Sequence, residues 1–354
     1  MPRSLRTARE GGPVPESLCP AGERIVSPTA APRTPAKAPQ TPRHFLDLRD
    51  FTPEVIRQII DLSAKVKAMQ NGRRQPLHPD RPLEGRSLGL ILAQPSTRTR
   101  VSFEVGMGQL GGSVSVLSPG DMQLGRGETV ADTARVLSRF LDVIVLRTGN
   151  DANLRELAKW SSVPVINGLT PVSHPIQILA DVLTFEEHRG PIRGKTLAWI
   201  GDGNNVATSL MEGAALLGFN VRLATPENFS PNPDAVEWAR AHGATIEVFR
   251  DPAEAVAGAD AILTDTWVSM GDTDREKRLR VFQPYQVDMA LMAKAAPDAL
   301  FLHCLPAHIG EEVTSEVFEG PASVVFDEAE NRLHTQKGLL LWALGKENGG
   351  RENG

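Results

Sequence analysis

The stretch "SLGLILAQPSTRTRVSFE", Ser87 to Glu104, joins an apolar run to a segment of helical spacing through a short polar turn. A strand that passes directly into a helix is the unit from which helix-covered parallel sheets are built. The turn itself is chemically unusual. A helix start carries free N–H groups and the positive end of the macrodipole, so it favours acids. Here Ser96, Thr97, Arg98, Thr99 and Arg100 place hydroxyls and guanidiniums there instead. Such a start calls for an anion from outside the chain, and arginine suits bidentate phosphate contacts. The plainer alternative is a capped helix with solvated arginines. Positions two apart on a helix face different ways. Arg98 is therefore placed to meet the anion, and Arg100 to pair with Glu104 four residues on.

Working outward, the alternation continues. "GSVSVL", "DVIVLR" and "VPVIN" read as strands, separated by "ETVADTARVLSRFL" and "DANLRELAKW", which have helical spacing. The pattern restarts with the helix "HPIQILADVLTFEEHRG" and the strand "KTLAWIGDG", followed by "NVRLAT", "TIEVF", "AILTD" and "ALFLHCLP". Upstream, "RDFTPEVIRQIIDLSAKVKAM" reads as a helix capped by Thr52 with Pro53 in its first turn. The final "EAENRLHTQKGLLLWALG" reads as one amphipathic helix able to pack on either half. The fold expected is α/β, with two tandem doubly wound, Rossmann-like parallel-sheet domains over 43–185 and 186–326, then a C-terminal segment, 327–354. A length of 354 residues suits about two domains.

Residues 1–42 differ in composition, with "SPTAAPRTPAKAPQTPR" lacking any hydrophobic period. They are expected to form a disordered extension. No apolar run is long enough to span a bilayer, and a net charge of −5 argues against a nucleic-acid partner. The two cysteines, Cys19 and Cys304, do not suggest a disulfide framework, and a reducing, cytoplasmic setting is expected.

Ligands of open α/β sheets bind outside the carboxyl ends of the strands, and that is where the polar motifs fall. "GDGNN", Gly201–Asn205, lacks the third glycine of a dinucleotide turn and offers amides to a polar ligand instead. His174 of "HPIQ" could cap a helix or, held neutral at a helix start, donate to a substrate oxygen. Cys304 of "HCLP" could be an inert buried thiol. Neither C-x-x-C nor H-E-x-x-H is present, so no metal centre is expected. Asp265 and Ser269, in "TDTWVSMG", add a carboxylate and a hydroxyl at another strand end.

Together, "STRTR", "HPIQ", "DTWVSMG" and "HCLP", in this order, resemble the aspartate/ornithine carbamoyltransferase family over residues 43–347, and "SMG" resembles its ornithine-specific branch. The resemblance implies transfer of the carbamoyl group of carbamoyl phosphate to the δ-amine of L-ornithine, giving L-citrulline and phosphate, without a cofactor. It implies a C-terminal helix returning to the first domain and a homotrimer with active sites between subunits. Carbamoyl phosphate would be held by Ser96, Thr97, Arg98, Thr99, Gln123, Arg147, His174, Gln177, Cys304, Leu305 and Arg332, with Gln123 reaching a neighbouring subunit. Ornithine would be held by Asn205, Asp265, Ser269 and Met270. Catalysis would fall to Arg98, His174, Asp265 and Cys304, with Cys304 either accepting the amine's proton or only positioning it. A carbamoyltransferase for another amine, a nucleotide-dependent dehydrogenase and a non-catalytic binding paralogue are the competing expectations. Biosynthesis of arginine is the setting the resemblance favours.

Overall fold

Helix α1 (Pro53–Ala68) follows Thr52 with Pro53 in its first turn, and it buries Ile56, Ile59, Ile60 and Val66 on one face. The computed structural model describes residues 41–69, 77–118, 120, 122, 127–268 and 274–347. Strands β1 (Ser87–Leu92), β2 (Ser113–Leu117), β3 (Val143–Arg147) and β4 (Val165–Leu169) alternate with α2 (Thr97–Gln109), α3 (Val130–Leu137) and α4 (Asp151–Trp160). They form a parallel sheet of order β2-β1-β3-β4. Leu88 of β1 pairs with Val114 on one side and Val143 on the other. β1 and β3 are buried almost throughout, which is why both read as unbroken apolar runs.

Helix α5 (Pro175–Arg189) leads to the second sheet. Its strands β5 (Thr196–Ile200), β6 (Asn220–Ala224), β7 (Ile246–Phe249), β8 (Ala261–Thr264) and β9 (Leu300–His303) take the parallel order β7-β6-β5-β8-β9. Helices α6 (Asn205–Leu217), α7 (Pro233–Ala241), α8 (Pro252–Val256), α9 (Arg275–Phe282) and α10 (Met289–Met292) lie between them, followed by α11 (Ser315–Phe318) and α12 (Val325–Ala343). The α/β architecture is the one expected. In each sheet the strand order reverses once, between β1 and β3 and between β5 and β8. Loops leaving adjacent strands on opposite sides of these points open the crevices where ligands bind.

α12 departs from the amphipathic reading. Leu339 to Ala343 are all buried, as are Arg332, His334, Thr335, Gln336 and Lys337. The helix is enclosed because it packs on α1, α2 and α5 and touches β9. Gly338 allows that approach: a Cβ there would come within 2.2 Å of Ser63 Oγ and 2.9 Å of Ser63 N on α1. Lys337, exposed in an amphipathic helix, instead donates to Gln109 Oε1 at 2.9 Å, and burial lowers its pKa to about 8. One hydrophobic cluster runs from Phe45 and Leu88 through Ile176 and Leu210 to Leu339, so the two sheets share a core. No helix of the described residues is long and apolar enough to cross a membrane.

Candidate active site

Helix α2 begins with Ser96 at its N-cap, and its first intrahelical bond runs from Arg100 N to Ser96 O. The backbone N–H groups of Thr97, Arg98 and Thr99 precede that bond, and no acid lies in the first turn. Ser96 makes no side-chain cap; its hydroxyl donates to Thr99 Oγ1 at 3.0 Å. Arg100 pairs with Glu104 at 3.2 Å, out in solvent. Arg98 turns the other way and donates to Leu305 O at 2.6 Å, joining the first sheet's loop to the second's. Leu305 has φ +59, a left-handed conformation uncommon for a residue with a Cβ, and its N–H donates to His303 Nδ1 at 2.9 Å.

Arg147 ends β3 and Arg332 lies on α12. Each is mostly buried, and burial together with the neighbouring guanidiniums lowers both pKa values, that of Arg332 to about 10. Nε of Arg147, and Nε and Nη2 of Arg332, are buried without hydrogen-bond partners among the described residues. His174 stands at the N-cap of α5 but makes no side-chain cap, so the capping role is set aside. Burial first, then the charges of Arg332, Arg147 and Arg98, hold it well below the usual imidazole pKa. It is therefore a neutral ring at physiological pH. Its Nδ1 is buried and unpartnered, while its backbone N–H donates to Ser209 Oγ at 2.9 Å. The site thus gathers three guanidiniums and a neutral imidazole beside an open helix start.

Across the crevice, Asp265 follows β8 and Cys304 follows β9. Cys304 Sγ donates to Asp265 Oδ1 at 3.2 Å, and Asn204 Nδ2 donates to Asp265 Oδ2 at 2.8 Å. Burial, then the charges of Asp265 and Glu328, push the thiol well above its ordinary pKa. Cys304 is accordingly a protonated donor in this state. Asn204 also caps α6, so its amide is committed to the protein, which differs from the expectation that it serves a ligand. Asn205 donates to Thr170 O at 2.7 Å. Gly203 has a packing reason of its own: a Cβ there would meet the backbone of Ser230 and Pro231 at 2.3–2.5 Å. That glycine serves the α6 turn, with no need of a pyrophosphate to explain it.

Ser96, Thr97, Arg98, Thr99, Arg147, His174, Asp265, Cys304, Leu305 and Arg332 are thus linked around one crevice. Gln177 is different. Its Nε2 donates to Asp181 and Glu328, each at 2.8 Å, and its Oε1 accepts from Arg332, so every polar atom of the amide is engaged by protein. Gln123, Ser269 and Met270 lie outside the described residues.

Two residues were missed from the sequence, Asp181 and Glu328. Glu328 accepts from the His303 backbone N–H at 2.8 Å as well as from Gln177. Burial raises Asp181 to about 7, and burial together with the Asp181 charge raises Glu328 well above the usual range, so the pair shares a proton. The available signal was helical spacing: Asp181 lies four residues after Gln177, and Arg332 four after Glu328.

Residues 43–187 match the carbamoyl-phosphate-binding domain of the aspartate/ornithine carbamoyltransferases, and residues 193–343 match their aspartate/ornithine-binding domain. The chain belongs to the aspartate/ornithine carbamoyltransferase family. It is similar to the ornithine carbamoyltransferase of Nitrobacter winogradskyi, with 57% identity over 306 residues, or 86% of this chain and 98% of that protein. A solved ornithine carbamoyltransferase from Pyrococcus furiosus aligns with TM-score 0.82 and 47% identity, covering 86% of this chain and 98% of its own. The anabolic enzyme of Campylobacter jejuni aligns with TM-score 0.79 and 39% identity, covering 85% and 98%. The two matched domains are described by carbamoyl phosphate and by aspartate or ornithine, and the crevice described above likewise has two faces. One face is cationic and the other carries Asp265 and Cys304.

Proposed function

We propose that this chain is an ornithine carbamoyltransferase, working in the direction of citrulline synthesis for arginine biosynthesis. The observation that carries the reading is the convergence of Arg98, Arg147 and Arg332 with the neutral His174 at the open start of α2. Such a set suits a small phosphate anhydride with a carbonyl beside it. The phosphate would sit on the N–H groups and hydroxyls of Ser96–Thr99 and on Arg98. Thr99 and His174 would donate to the carbonyl oxygen, whose charge grows as the tetrahedral state forms. The free N–H groups of Arg147 and Arg332 would neutralise the remaining oxygens.

Ornithine would enter from the Asp265 side, with Asn205, Ser269 and Met270 holding its amino-acid end. Its δ-ammonium must lose a proton before attack, because a side-chain amine of this kind has a pKa of about 10.4. Asp265 is the acceptor we assign. Cys304, a protonated thiol donating to that carboxylate, orients it and is not itself the base. The neutral amine then forms the C–N bond, the C–O bond to phosphate breaks, and phosphate departs with the electron pair. A second amine proton leaves to give citrulline. No cofactor is required, since phosphate is already an activated leaving group.

Residues 43–185 would form the carbamoyl-phosphate domain, 186–326 the ornithine domain, and 327–354 the return to the first. A homotrimer in the cytoplasm, with Gln123 reaching a neighbouring site, completes the proposal. The test is product formation with a panel of amines. Ornithine should be carbamoylated well ahead of aspartate, putrescine and lysine. Preference for any of these, or no product at all, would refute the substrate assignment.

A further inference from the structure

Beyond the Cys304–Leu305 turn the chain reads "AHIGEEV", Ala307 to Val313. One ligand atom from each of His308, Glu311 and Glu312 lies within 4.8 Å of the other two. His308 Nδ1 is 3.9 Å from Glu311 Oε2 and 3.8 Å from Glu312 Oε2. All three atoms are shut off from solvent without a hydrogen-bond partner among the described residues. Glu312 is completely buried, so one of its oxygens has neither water nor a donor. Leaving a carboxylate oxygen in that condition is costly.

The other oxygen of each glutamate is occupied. Glu312 Oε1 accepts from His303 Nε2 at 3.1 Å and from His308 N, while Glu311 Oε1 accepts from Arg275. Each carboxylate is thus fixed by one oxygen and directs the other at the same point as the imidazole. Held ligands of this kind are what outer partners produce around a metal. The spacing agrees. A hydrogen-bonded pair would stand about 2.8 Å apart, whereas two ligands on one tetrahedral ion stand about 3.4 Å apart at bond lengths of about 2.0–2.1 Å.

We propose that His308, Glu311 and Glu312 form a structural site for one divalent first-row transition ion, of the zinc type that imidazole and carboxylate together suit. The pattern H-x-x-E-E escapes a sequence search based on C-x-x-C and H-E-x-x-H, which is why no metal centre was expected. The ion's partner Glu312 holds His303, and His303 Nδ1 holds the Leu305 N–H whose carbonyl takes Arg98. An ion here therefore braces the turn that carries Cys304 without touching substrate. The neighbouring group Asp265–His303–Cys304 also has metal-ligand chemistry, but both His303 nitrogens are already engaged.

Cobalt(II) distinguishes the two places. Chelator-treated full-length protein should take up one Co2+ per chain, with the visible d–d bands of a tetrahedral ion and no thiolate-to-cobalt charge-transfer band in the near ultraviolet. His308→Gln and Glu311→Gln should each lose those bands while the circular dichroism stays unchanged. Zn2+ should raise the melting temperature of the unsubstituted protein and leave His308→Gln unmoved. The proposal is overturned if no Co2+ binds, if the bands persist in His308→Gln, or if the spectrum is that of a thiolate complex.

Discussion

At the scale of single residues, Arg98 and Cys304 carry opposite lessons. Arg98 was readable because hydroxyls and guanidiniums at a helix start contradict the usual electrostatics. The structure adds that its guanidinium already spans the crevice to Leu305 O. Cys304 was legible only as a lone thiol, since its protonation depends on burial and on Asp265 and Glu328, which come from distant parts of the chain. If the thiol orients Asp265, Cys304→Ser keeps a donor and should retain much more activity than Cys304→Ala. Steady-state kcat for the two variants decides this. Equal loss in both would return the proton-accepting role to the sulfur. Turnover should also rise with pH, because the ornithine δ-amine is almost wholly protonated at neutrality. A flat kcat/KM profile from about pH 6 to 9 would contradict a proton-limited step.

Among elements, α5 and α12 matter most, because together they hold Gln177, Asp181, Glu328 and Arg332. The sequence identified both helices, yet it misread the exposed faces of α12 as solvated. Polar residues there are enclosed by α1, α2 and α5, a circumstance no local pattern encodes. The shared proton gives a signed prediction. Asp181 and Glu328 hold their proton in the folded state at a pH where the unfolded chain has lost it. Their contribution is therefore fully present at low pH and fades as pH rises from the ordinary carboxylate range through about 7. Asp181→Asn leaves one buried acid where there were two, so its melting temperature should fall less steeply across that window. The α6 turn yields another test. Gly203→Ala drives a Cβ into the Pro231 backbone and should cost about 1–3 kcal/mol. An unchanged melting temperature would show that the turn relaxes freely.

For the molecule as a whole, the alternation of strands and helices was enough to foresee two parallel sheets, because parallel strands buried on both faces read as unbroken apolar runs. The common hydrophobic core was not foreseen, since it depends on where α5 and α12 lie in space. What the fold accomplishes is to bring the carboxyl ends of β1, β3, β8 and β9 to one crevice, with cations on one side and a carboxylate–thiol pair on the other. The central claim is that the cationic side binds carbamoyl phosphate for transfer to ornithine. It is tested most directly by citrulline formation from L-ornithine and carbamoyl phosphate, comparing the full-length chain with Arg98→Ala. The account predicts turnover in the unsubstituted chain and a loss of about 10²–10³-fold in a variant with unchanged circular dichroism. Near-normal citrulline formation by folded Arg98→Ala would contradict it.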